Sequence, residues 1–165
     1  MLQKVPGVKS GIEYLLLDLI DFKDQEFSNV VVIGSSPGRS MLTRLNVPFD
    51  RHFSRNEKFA MVGANLANKL GKKIGDAVEV NGNALRITAI YTSPLPFEND
   101  GMVIPLKVLQ DITVHPDEVT AFAITAERPI DEAGLEELRQ HLEAVQPGLE
   151  VTLLHRTHNQ RPAKP

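Results

Sequence analysis

The tripeptide Asn81-Gly82-Asn83 lies between two alternating segments, Ala77/Val78/Val80 and Leu85/Ile87/Ala89/Ile90. Asn-Gly accepts the positive φ angles of a two-residue turn whose twist matches antiparallel strands, so a tight β-hairpin is predicted here. The stretch leading into it, LGKKIGDAVEVNG over residues 70–82, raises a second question, because glycines beside lysines also build anion cradles. Backbone geometry answers it. Gly71 is placed to end a helix in the left-handed region, Gly75-Asp76 to turn the chain into a strand, and Gly82 to complete the hairpin. Lys72 and Lys73 follow a helix C-terminus, where positive charge is favoured without any phosphate.

The rest of the chain reads outward from this hairpin. Residues 12–22, IEYLLLDLIDF, set Leu17, Leu19 and Phe22 against Asp18 and Asp21 and predict a strand. Val30–Ile33 is a β-branched run closed by Gly34, with a short helix after Pro37, and its unbroken apolar character predicts burial on both faces. Residues 48–58 read as a polar loop that tucks in Phe49 and Phe53. FAMVGANLANKLG gives a short strand, a turn at Gly63 and a helix of about two turns. Residues 93–101 read as a loop, MVIPL as a brief strand, LKVLQDI as a short helix and EVTAFAITAE as an alternating strand. Asp131 is positioned as an N-cap for a helix carrying Leu135, Leu138, Leu142 and Val145 on one stripe, ended by Pro147-Gly148. LEVTLL predicts a last strand, and residues 156–165 a flexible tail. The fold class expected is α+β in two lobes: an α/β lobe from both chain ends, 1–47 and 115–155, with a smaller, mainly β lobe inserted over 48–114.

Composition narrows the function. At 165 residues with 42% hydrophobic content the chain can bury a sizeable core. Eighteen basic against 21 acidic residues give a net charge of −3, which disfavours nucleic acid as a partner. The absence of cysteine excludes disulfide scaffolds, thiolate metal sites and Cys nucleophiles. The longest apolar stretch, Tyr14–Leu17 with Leu19 and Ile20, is interrupted by Asp18 and is far shorter than the ~20 residues of a membrane helix. Pro6, Gly7, Lys9 and Gly11 break any continuous apolar core of a signal peptide.

Candidate chemistry is sparse. GSSPGR, residues 34–39, lacks both the Gly-Lys-Ser/Thr ending of a P-loop and G-x-G-x-x-G spacing, and reads as a strand-to-helix turn. His155 and His158 have H-x-x-H spacing but run into Pro162 with no helical pattern, so a polar tail is the better reading. His52, His115 and His141 are isolated. Asp21/Asp24/Glu26 and Glu136/Glu137 read as solvated charge, and no G-x-S-x-G occurs. No catalytic residue, cofactor or metal is assigned. The loop SPLPFEND is different: its prolines restrict the chain around Leu95 and Phe97, which makes these two apolar residues candidate partner contacts.

The order of these pieces resembles the MacB-like periplasmic core domain of ABC transporter permeases, the FtsX-like and lipoprotein-releasing class. The resemblance rests on Val5-Pro6-Gly7-Val8, Val30–Gly34, residues 51–91 (RHFSRNEKFAMVGANLANKLGKKIGDAVEVNGNALRITAIY) and residues 102–112 (MVIPLKVLQDI), and it covers roughly residues 3–154. Asp50 departs from the glycine common in the family before Arg51. The resemblance implies a non-enzymatic extracytoplasmic domain in two lobes, excised from between transmembrane helices absent from this sequence. It further implies a cytoplasmic ABC ATPase as partner through those helices, a second permease copy, and a periplasmic partner protein. ATP-driven motion would be transmitted to substrate or partner handling outside the membrane. The alternatives are a free-standing soluble binding module and a small hydrolase.

Overall fold

The computed structural model describes residues 4–8, 13–22, 27–35, 39–47, 58–124, 126 and 128–151. The chain divides into two compact units, Gly11–Thr125 and Met1–Ser10 with Ala126–Pro165. The larger unit holds strands β1 (Glu13–Phe22), β2 (Phe27–Ser35), β3 (Phe59–Gly63), β4 (Ala77–Val80), β5 (Asn83–Tyr91), β6 (Met102–Pro105) and β7 (Ala121–Ala123). Its helices are α1 (Arg39–Arg44), α2 (Ala64–Leu70), α3 (Pro96–Asn99) and α4 (Leu106–Thr113). The smaller unit holds α5 (Glu132–Val145) and an isolated bridge between Val8 and Ala126. The class is therefore mixed α+β. Residues 1–47 and 115–155, expected to share a lobe, contribute to both units, and the expected insert supplies β3 to β6 of the larger unit's sheet.

All seven strands form one mixed sheet in the order β4-β5-β3-β6-β2-β1-β7. β2 runs parallel to β6 and β3 parallel to β5, while β1–β2, β3–β6, β4–β5 and β1–β7 are antiparallel. The hairpin forms as its sequence requires: Asn81 and Gly82 both take positive φ, 45° and 76°, and Val80 pairs with Asn83. β2 lies inside the sheet, and Val30, Val32 and Ile33 are buried. Gly71 ends α2 at φ 62°, its amide and that of Lys72 bonding to the carbonyls of Asn68 and Ala67.

β1 keeps Phe22 of the expected apolar set inside but turns Leu17 and Leu19 outward. Leu16, Ile20 and Phe22 are buried, whereas Leu17 and Leu19 are 40% and 59% exposed. The two acids also serve nearby backbone: Asp18 Oδ1 accepts from the Leu19 amide at 2.8 Å and the exposed Asp21 Oδ1 from the Asn29 amide at 2.9 Å. Asn29 sits at φ 57° where the β1–β2 register shifts, a conformation asparagine tolerates. A second shift separates Ala60↔Ile87 from Met61↔Ala89, leaving Thr88 as the extra residue of β5.

That bulge lets one strand feed both faces of the sheet. Leu85 and Ile87 join a core with Leu16, Ile20, Val32, Val62 and Met102, covered by Leu66 and Leu70 of α2 and Leu109 of α4. Ala89 and Tyr91 join a second core with Ile33, Met61 and Val103, covered by Met41, Leu42, Leu45 and Val47.

Three further expectations change. Residues 96–99 form a helical turn within the expected loop, with Pro96 in its first position, where a missing N–H costs nothing. β7 is only three residues long, and 149–151 form no strand. Phe49, Asp50, Arg51, His52, Phe53, residues 152–154, His155, His158 and the tail lie outside the described residues. In α5, Asp131 caps as expected, its Oδ1 accepting from the Gly134 amide at 2.9 Å. Of the predicted stripe, only Leu142 is buried.

Candidate functional site

β5 delivers Tyr91 to the second core, and the chain then makes the turn that carries Leu95 and Phe97 before entering β6. This turn is closed from within. The Asn99 side chain clasps its ends, with Oδ1 accepting from the Ser93 amide at 2.8 Å and Nδ2 donating to the Ser93 carbonyl at 2.9 Å. The Leu95 amide donates to Ser93 Oγ at 3.1 Å, and the amides of Glu98 and Gly101 donate to the carbonyls of Leu95 and Glu98, each at 3.1 Å. Pro94 and Pro96 fix two more φ angles. Phe97 is nonetheless 52% exposed, and Leu95 is half-buried.

Next to Phe97 in the chain is a charged residue that is only 4% exposed, Glu98. Its Oε2 accepts from Arg44 Nη1, at the end of α1, and from Ser93 Oγ. Burying a carboxylate is costly unless it is paired and hydrogen-bonded, and here it is both. The Glu98 carbonyl accepts from the Tyr91 hydroxyl at 2.8 Å. Burial, with the Glu98 charge beside it, pushes the Tyr91 phenol well above the usual tyrosine range, so the hydroxyl stays a donor.

Gly63 completes the bracing. Its amide donates to the Gly101 carbonyl at 2.8 Å, and a Cβ on it would lie 2.4 Å from the Asn99 carbonyl oxygen. Only glycine lets β3 approach the turn this closely. On the outer side Lys69 of α2 donates to Asp100 at 2.7 Å, and this bond holds the Asp100 carboxyl below its ordinary value. The surroundings of Phe97 are thus an apolar ring on a fixed backbone.

Among the described residues the remaining sequence candidates do not converge on a reaction centre; Asp24 and Glu26, like His52, His155 and His158, lie outside them. His115 is exposed and 3.0 Å from Glu118, His141 is exposed on α5, and Glu136 pairs with Arg139. Among the described residues no three His, Asp or Glu side chains stand close enough to share a metal. A shallow groove is lined by Asp18, Leu19, Ile20, Asp21, Asn81, Ile112 and Thr113. Both of its carboxylates accept backbone amides, those of Leu19 and Asn29. Gly34, first residue of GSSPGR, faces α4: a Cβ there would fall 2.9 Å from Leu109 Cβ, so helix packing accounts for it. Residues 36–38 of that motif lie outside the described residues.

Sequence reasoning missed Arg44, Glu98, Asn99 and Gly63. Asn99-Asp100-Gly101 is a turn signal legible in the sequence, but nothing local marks Glu98 as buried.

Residues 2–144 match the family described as the MacB-like periplasmic core domain. The fold is similar to the extracellular domain of the noncanonic ABC-type transporter YknZ from Gram-positive bacteria, with a TM-score of 0.61 and 13% identity over 87% of this chain and 77% of that one. It is equally similar to the periplasmic region of MacB from Actinobacillus actinomycetemcomitans, with a TM-score of 0.61 and 9% identity over 87% and 70%. No curated protein matches the sequence.

Proposed function

Because the chain belongs to the MacB-like periplasmic core domain family of ABC transporter permeases, we propose that it is a non-catalytic relay. In this reading it is anchored by transmembrane helices outside this sequence and driven by a cytoplasmic ABC ATPase. Paired with a second permease copy, it carries a two-state motion to a partner protein on the outer side of the membrane. Leu95 and Phe97 are the proposed contact. One observation carries the proposal: an aromatic side chain 52% exposed on a backbone braced by a buried carboxylate. An apolar group held rigid in solvent pays little ordering entropy when it docks.

The test is a photoreactive residue at position 97 of the full-length permease in native membranes. The expected result is a protein crosslink whose yield changes between ATP-bound and nucleotide-free states. A yield indifferent to nucleotide refutes the relay through this loop. The isolated chain is expected neither to bind nor to hydrolyse ATP, and turnover by it would replace the relay with an enzyme.

A further inference from the structure

The Arg44–Glu98 pair is a part-buried ionic contact, and it joins residues 54 apart in sequence. Glu98 is nearly inaccessible, while the Arg44 side chain keeps 28% of its surface in solvent. α1 is held by Met41 and Leu42, both buried in the second core. Phe97 immediately precedes Glu98, and the same helical turn carries both. A displacement of Glu98 therefore displaces Phe97.

We propose that Arg44 and Ser93, through Glu98, are positioning residues that fasten the Phe97 turn to α1 and the sheet, so that Phe97 moves with the domain. Four contacts reach this turn from outside it: Gly63 sets the distance by close approach, Tyr91 fixes one carbonyl, Lys69 pairs with the half-exposed Asp100, and Arg44 grips the buried carboxylate of Glu98. Arg44 meets Glu98 through Nη1 on Oε2, the oxygen that also accepts from Ser93 Oγ, and a lysine ammonium lacks the planar guanidinium that sets this approach. Charged partners in a low-dielectric site hold a specific geometry that apolar packing would leave free to slide.

The inference rests on the docking reading of Phe97 for its purpose, though not for its geometry, and two measurements separate them. The first is hydrogen exchange on the 165-residue chain, following the peptide spanning 92–102. Glu98→Gln keeps the shape and removes the charge, and Arg44→Met keeps the stem and removes the guanidinium. Each is expected to speed exchange of the 98 and 101 amides at least tenfold, while amides of the β4–β5 hairpin stay within twofold. The double variant is expected to match the singles instead of multiplying them, since one contact is lost in all three. Ser93→Ala is expected to give a smaller change, and Arg44→Lys to recover only part of the protection. If Glu98→Gln unfolds the chain globally, the Ser93 and Arg44 variants decide. Exchange over 92–102 within twofold of the parent in those variants overturns the proposal.

The second measurement is the crosslink at position 97 in the full-length permease carrying Glu98→Gln. Loss of its nucleotide dependence, with expression unchanged, supports the fastening role. Retained dependence overturns it. Absence of any nucleotide-dependent crosslink in the parent defeats the docking reading instead, and leaves the exchange result to judge the bracing alone.

Discussion

Replacing Gly63 with alanine separates close approach from backbone conformation. Gly63 sits at φ −63°, ψ 145°, a conformation any residue adopts, so Gly→Ala by itself stabilises by roughly 0.4–1 kcal/mol through the unfolded chain. Against this, the new Cβ would stand 2.4 Å from the Asn99 carbonyl oxygen and 2.6 Å from that of Glu98. Both are backbone atoms of a clasped turn and cannot rotate away. Strand and turn must separate by roughly 1 Å to reach ordinary contact, an overpacking that costs about 1–3 kcal/mol. The same separation stretches the bonds from Gly63 to Gly101 and from Tyr91 to Glu98, each 2.8 Å, and each worth about 1 kcal/mol. The net is a loss of roughly 2–4 kcal/mol, or about 5–15 °C in Tm for a chain of this size. Thermal unfolding followed by circular dichroism measures it. Gly71→Ala is the internal control: φ is +62° with nothing within 4 Å, so only left-handed backbone strain of about 1–2 kcal/mol applies. A Gly63→Ala protein as stable as the parent, or less damaged than Gly71→Ala, refutes the argument that the turn is pressed against β3.

Tyr91 and Tyr14 are the chain's two tyrosines, so in a Tyr14→Phe background absorbance at 295 nm reports Tyr91 alone. Its folded pKa is raised, so the stabilisation from burying the neutral phenol is present below the ordinary value of 10.0 and is lost as pH rises above it. The phenolate signal is expected to appear together with the loss of the circular dichroism signal; ionisation of Tyr91 in the intact fold contradicts the burial. In the smaller unit, Asp131→Ala removes the N-cap of α5 and is expected to cost about 1 kcal/mol, read as faster amide exchange in its first turn. Glu136 on the same helix is held at about 2 by its hydrogen bonds to Arg139 and Gln140. That contribution is present above 4.5, its ordinary value, and is lost as pH falls toward 2. The pair is exposed, so the depression is expected to shrink in high salt when followed by NMR titration of the carboxyl carbon.

Elements whose cause is local were readable in the sequence. Asn81-Gly82 needs no distant residue to choose its turn, Gly71 ends α2 by its own φ, and Asp131 caps through an amide three residues away. Elements decided by partners were not. In EYLLLDLIDF apolar residues fall on both parities, so alternation cannot choose between Leu17/Leu19 and Leu16/Ile20; the pairing with β2 chooses. In β5 the pattern Leu85/Ile87/Ala89/Ile90 looks irregular because Thr88 is a bulge, visible only once β3 lies alongside. Glu98 sits in Phe-Glu-Asn-Asp, a run that reads as solvated charge, and the arginine that justifies its burial lies on another element. The apolar half of the candidate contact was therefore legible while its support was not.

This division bears on how a relay can work. A contact residue transmits displacement only if its own backbone opens less often than the domain moves. A turn held by about 1.4 kcal/mol is undone in roughly one molecule in ten, and twice that brings the fraction to about one in a hundred. Replacing a buried ion pair with apolar groups is often neutral or stabilising, so a buried carboxylate next to Phe97 is weak evidence for stability. The proposed fastening gives it a use in direction: Arg44, Ser93 and the Asn99 clasp each hold the turn by an oriented hydrogen bond. Exchange at the 98 and 101 amides of the parent slower by about a hundredfold than in an unstructured peptide is what this argument requires; a tenfold protection is too little for Phe97 to report where the domain is.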